Sequence, residues 1–327
     1  MIPPILENIK KEIADFKPNK VVSMQELQDI EFQFEDIAKE QHARMEEMND
    51  FNRSFMIYIS AIELLYITAN FLLDSTELKK HAKKLNKIED LYNPSGPPLS
   101  PIFESYYNMW LLFDYKIEGY SLADMILALK DMFSYPLEVI ELIKLANTSY
   151  AGIYKYIGKG PNDILLLEDI VTKKVYEVKD PNELKGIKKG ELWYIRLLPP
   201  LPEYQCAYYT SATTPYILTG HKEQEWLDYF KRQSIIPNTL GVEHRLAEHM
   251  HYGKSTTYWL EYIVQSYVKQ KGNVIILKGL PDCEETRPYA NGPLTKTRKT
   301  PVTLEGDLQV DFGNLLNKFL SLNPFKN

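Results

Sequence analysis

A chain of 327 residues with 44% hydrophobic and 25% charged side chains holds enough apolar material for two or three packed units, which excludes a disordered or fibrous protein. A formal net charge of -6 gives no general attraction to phosphate backbones or anionic lipid, so nucleic acid is not an expected partner. Its 2 cysteines, Cys206 and Cys283, stand far apart; that excludes a disulfide framework and a paired-cysteine zinc site and fits a reducing compartment.

The opening stretch MIPPILENIKKEIADF lacks the basic patch and apolar run of a secretory leader, so the expected setting is the cytoplasm. From Met24 to Ala69 the spacing is helical, with Leu27, Ile30 and Phe34 on one stripe, and predicts two or three antiparallel helices. Phe55 to Leu73 is apolar over nearly a bilayer's length. Glu63 and Asn70 interrupt it, which favours a buried core helix over a membrane span. Asp74 and Glu77 have the spacing of a capping box ahead of a polar helix, whose lysines Lys80, Lys83, Lys84 and Lys87 share one solvated face. Four prolines and a glycine in Asn93 to Pro101 predict a rigid loop. Leu122, Met125, Ile126 and Leu129 then mark one face of an amphipathic helix, and another helical segment runs from Pro136 to Leu145.

Between Ile153 and Leu218 the period changes to short β-branched and aromatic runs punctuated by Gly, Pro, Asn and Asp. Strands are predicted at ILLLE, KVYEV, ELWYIRLL, CAYYTS and PYIL, enough to curl into a small barrel or sandwich. Apolar residues on both faces of Glu191 to Leu198 suit a central strand. Helical patterns return over Glu223 to Arg232, Glu243 to His251 and a long run from Thr256 to Lys271. A buried strand over Asn273 to Leu280 and an amphipathic helix over Phe312 to Leu322 follow. The expected class is α+β: an N-terminal helical bundle over 1–150, a small β-barrel or sheet over 151–220, and a mainly helical C-terminal part with one buried strand over 221–327.

The stretches SPIFESYYNMWLLFDY, YAGIYKYIG, GELWYIRLLPP, TTPYIL, YGKSTTYWLEYIVQSY and GLPDCEETRP, spread over Ser100 to Pro288, resemble a family of uncharacterised bacterial proteins. The resemblance implies one co-inherited unit and no particular activity.

Several clusters carry chemistry. His244, Glu248 and His251 fall at i, i+4 and i+7 on one helical face. Imidazole and carboxylate ligands suit a divalent metal such as zinc or iron, against the plainer reading of a polar helix face. Asp282, Glu284, Glu285 and Arg287 lie in a loop after the buried strand, with Cys283 among them. They could relay a proton or hold a metal, or simply fix a turn. Gly253-Lys254-Ser255-Thr256 has the ending of a phosphate-binding loop, but Glu248 occupies the place of its earlier glycine and a helix precedes it where a strand is required. Trp193, Tyr208 and Tyr209 belong to an aromatic-rich middle module in a chain of 23 tyrosines, a composition suited to an interface or to a core. Arg196, within an apolar strand, needs a buried partner such as Glu168 or Asp169, or an anionic ligand. Without a complete nucleotide, zinc or triad motif, the first expectation is a protein-protein interaction or scaffold component, binding another protein or itself. The alternative is a metal-assisted or acid-base hydrolase built on the 281–288 loop.

Overall fold

The computed structural model describes residues 3–15, 50–92, 105–133, 135–181, 184, 186–233 and 241–281. The Asp282, Glu284, Glu285 and Arg287 cluster, the Asn93 to Pro101 loop and the Phe312 to Leu322 helix lie outside these residues. Helices α1 (Pro4–Asp15), α2 (Asp50–Leu73), α3 (Lys79–Tyr92), α4 (Leu122–Ala128) and α5 (Leu137–Ala146) precede the strands. Strands β1 (Ala151–Lys159), β2 (Leu165–Asp169), β3 (Val175–Lys179), β4 (Leu192–Leu198), β5 (Tyr209–Ser211) and β6 (Tyr216–Thr219) follow. Then come α6 (Glu223–Gln233), α7 (Val242–Tyr252), α8 (Tyr258–Ser266) and the hairpin β7 (Tyr267–Lys271) and β8 (Val274–Lys278). The α+β class is thus present.

Five strands close a barrel: β1 pairs with β2, β2 with β3, β3 with β5 in parallel, β5 with β4, and β4 returns to β1. β6 lies beside β4 outside that ring and carries β8 and β7 on its far side. The predicted strand list therefore needs two corrections. The barrel is closed by Ala151–Lys159, which was not among the predicted strands, and the PYIL strand extends the sheet instead of closing it. The predicted long helix over Thr256 to Lys271 also stops at Ser266, because Tyr267–Lys271 pairs antiparallel with β8.

Strand β4 is buried along its whole length. Because side chains alternate across a strand, Trp193, Ile195 and Leu197 fill the barrel while Leu192, Tyr194 and Leu198 face the helices. Inside the barrel Trp193 stacks on Tyr156 with ring centroids 5.1 Å apart. On the other face a single cluster of buried apolar side chains runs from Ile5 through Leu65, Met125 and Tyr194 to Leu280. Helix α2 reaches this junction directly: Tyr58 donates to the Pro199 carbonyl at 2.8 Å, and the Ser54 and Thr210 hydroxyls meet at 3.0 Å.

Among the described residues α2 is the one helix long and apolar enough to cross a membrane, and 56% of its apolar window is packed inside the protein. The expected cap at Asp74 and Glu77 is replaced by Ser75, whose carbonyl accepts from Lys79 N at 3.0 Å, while Glu77 accepts from Asn8 Nδ2 at 3.1 Å. A reciprocal capping box occurs instead at Ser121 and Asp124, opening α4, whose Leu122, Met125 and Ile126 are buried as the spacing predicts. The lysine face of α3 is exposed.

Candidate functional site

The helical segment 105–109 widens into a π-helical turn, Trp110–Asp114, with the Tyr115 amide bonded to the Trp110 carbonyl at 2.8 Å. Such turns displace side chains from the α-helical register and occur often at functional sites. Here the turn brings Trp110 and Asp114 to the wall of a cavity of about 400 Å³. The opposite wall is the connection from α7 to α8, with His251, Tyr252, Gly253 and Lys254, followed by Ser255, Thr256 and Trp259. Tyr106 and Lys116 complete the lining. Its size lies in the range of small-molecule pockets.

The aromatic walls are fixed from behind. Trp259 stacks on Tyr194 of β4 with centroids 4.1 Å apart, and the Tyr106 hydroxyl meets that of Tyr194 at 3.0 Å. The Trp110 indole N–H donates to the Thr256 carbonyl at 2.9 Å and so ties the two walls together. Gly253 makes the sharp exit from α7 at φ +66, in the left-handed region. A Cβ there would also lie 2.6 Å from the Cβ of Tyr258, so only glycine fits.

Behind Asp114 stands Arg196, 1% exposed. Its Nη2 bonds to Asp114 Oδ2, and its Nη1 donates to the Ser149 carbonyl at 2.8 Å and to Ser149 Oγ at 3.1 Å. The predicted need for a buried partner is met, but the partner is Asp114 and not Glu168 or Asp169. Arg196 occupies the helix-facing register of β4, whereas Asp169 accepts from the amides of Val171 and Thr172, both at 2.8 Å, in the turn before β3. Burial pushes the Asp114 carboxyl above its ordinary pKa, with Arg196 pulling it back down. Among the described residues Arg196 takes Asp114's hydrogen bond, and Oδ1 has no partner.

His251 is the second buried polar group of the cavity, 9% exposed. Its Nδ1 lies 2.8 Å from the Ala151 carbonyl, which can only accept, so Nδ1 carries the proton and Nε2 presents a lone pair. Burial lowers the imidazole pKa to about 4, the Ala151 bond opposes this, and the Arg196 charge adds to it. At neutral pH the ring is therefore an uncharged acceptor, and among the described residues Nε2 has no hydrogen-bond partner.

The expected metal face does not assemble. His244 and Glu248 remain solvent-exposed with Nε2 and Oε1 3.8 Å apart, while His251 turns inward at the helix end to pack on Tyr150. Seven residues along a helix are about 10 Å of rise, so one end of α7 lies over β1 while the other meets solvent. Among the described residues no group of three His, Cys, Asp or Glu side chains is placed to hold a metal ion. The aromatic binding set is corrected as well: Trp193, Arg196 and Tyr208 are buried and Tyr209 half-buried, so these side chains build the core instead of an exposed surface. Sequence reasoning singled out His251 and Lys254 but attached neither to Asp114, Trp110 or Trp259. Asp114 is 82 residues from Arg196, and no spacing rule links them.

No protein-family model, curated protein or solved structure matches this chain.

Proposed function

We propose that this chain is a small-molecule binding protein whose ligand occupies the cavity between the Trp110–Asp114 turn and the α7–α8 connection. The observation that carries this reading is His251: a side chain 9% exposed that lines the cavity, held in one tautomer, with an acceptor nitrogen no described residue bonds. The His251 Nε2 lone pair, bonded by no described residue, is open to a ligand donor. Asp114 Oδ1 offers a second acceptor, and the nearly buried Trp110 and Trp259 make a rigid aromatic wall anchored from behind. Preorganised walls with a few fixed polar groups characterise ligand pockets.

Binding is favoured over acid-base chemistry at this cavity. A general base works best with a pKa near the working pH, and burial holds His251 at about 4. The aromatic residues expected to meet a protein partner are used in the barrel interior and its helical cover.

Native mass spectrometry of the full chain purified gently from its host, compared with the denatured mass, tests the reading. A small-molecule mass increment that disappears in Ser255→Trp, which sets a bulky ring at the exposed cavity lining, is expected. An increment unchanged in that variant would place the ligand elsewhere.

A further inference from the structure

The rim and the floor of the cavity differ in charge. Lys254, Ser255 and Thr256 are exposed at the rim, and among the described residues their side chains have no hydrogen-bond or ion-pair partner. Lys116, by contrast, is held by Asp124 at 3.1 Å. The lining thus carries two lysines against one carboxylate, and Arg196 already engages that carboxylate from behind. Helix α8 starts immediately after this rim. Its N-cap Thr257 makes no side-chain cap; the Thr257 hydroxyl donates to Glu261 Oε1 at 2.9 Å, and that first-turn carboxylate already faces the helix's positive end, so the charge of the rim rests on Lys254. Deeper in, the neutral His251 offers only an acceptor.

We infer that the cavity takes a small molecule with an anionic oxygen group, carboxylate or phosphate, seated on Lys254, Ser255 and Thr256, and a hydroxyl or N–H group donating to His251 Nε2. This rests on the binding reading above and adds the chemical class of ligand. The cationic rim and the acceptor floor call for opposite ends of one molecule. A cationic ligand fits less well, because Asp114 is already paired. Nor is this a nucleotide P-loop: the Gly253 turn follows helix α7, not a strand.

The test is tryptophan fluorescence of the full chain titrated at constant ionic strength with inorganic phosphate, acetate and glycerol 3-phosphate. Expected is a saturable response to phosphate or acetate, the stronger of the two identifying the anion, weakened about tenfold or more in Lys254→Met, as loss of a charged hydrogen bond implies. Lys254 is exposed, so this variant should fold as the parent does. Glycerol 3-phosphate should bind more tightly than phosphate, and that advantage should vanish in His251→Asn, whose amide can still donate to the Ala151 carbonyl. No saturable response to either anion, or a Lys254→Met titration like the parent's, overturns the anionic class. Equal affinity for phosphate and glycerol 3-phosphate overturns the His251 contact. If the anions fail while a host molecule is still carried in the native spectrum, binding stands and only the ligand class falls.

Discussion

Replacing Asp114 by Asn should be among the most destabilising single changes in the protein. The side chains of Arg196 and Asp114 are 1% and 8% exposed, so the pair is screened by almost no water. Removing one member of such a pair strands the other charge and costs about 3–5 kcal/mol. Arg196 would keep its two bonds to Ser149 and its place 5.5 Å from the Phe113 ring, which argues for the lower end, about 3 kcal/mol. Against a typical total stability of about 5–15 kcal/mol, that is a large fraction. Urea unfolding at pH 7, with the slope of free energy on denaturant unchanged, measures it. The double variant Asp114→Leu, Arg196→Met should return to within about 1 kcal/mol of the parent, because apolar side chains replace both charges. A loss below about 1 kcal/mol for Asp114→Asn alone, the value of an exposed pair, would refute the reasoning.

Stability should also fall with acid. His251 titrates near 6.5 when unfolded and about 4 when folded, so between those values the unfolded chain binds the proton that the folded chain excludes. The loss begins as pH drops below 6.5, is complete near 4 and amounts to something on the order of 3 kcal/mol. His249, also lowered by burial to about 4, adds to the same window, so His251→Asn should remove about half of that slope in thermal melts; an unchanged slope would count against a buried neutral ring. Gly253→Ala should lower the melting temperature sharply, since the added methyl meets Tyr258 in a backbone conformation that disfavours it. Trp110→Phe keeps the ring contacts with Tyr107 and Tyr115 but deletes the bond to the Thr256 carbonyl, and should cost about 1 kcal/mol by urea unfolding.

Much of the local architecture was legible in the residues. The face of α4, the fully buried β4 and the β8 strand followed from periodicity, because burial on one or both faces leaves a period in the sequence. The AGIYKYIGK strand was harder, since two glycines and two tyrosines give no clean alternation. The spacing over Thr256 to Lys271 predicts one helix because its apolar period runs on past Ser266. What ends the helix is pairing with β8, a tertiary contact that local propensity does not report. The candidate site was legible only in pieces. Lys254 and His251 drew notice for their neighbours in sequence, whereas Asp114, Trp110 and Trp259 join them through the packing of distant segments.

The most direct test of a ligand in this cavity is fluorine NMR of the chain labelled with 5-fluorotryptophan, titrated with a small-molecule extract of its host. Trp110 and Trp259 line the cavity, whereas Trp193 lies inside the barrel on the opposite face of β4 from Tyr194. Expected are saturable shifts of the Trp110 and Trp259 resonances with Trp193 unmoved. Saturation at Trp193 alone, or no saturable change at Trp110 and Trp259, would contradict a ligand site between the π-helical turn and the α7–α8 connection.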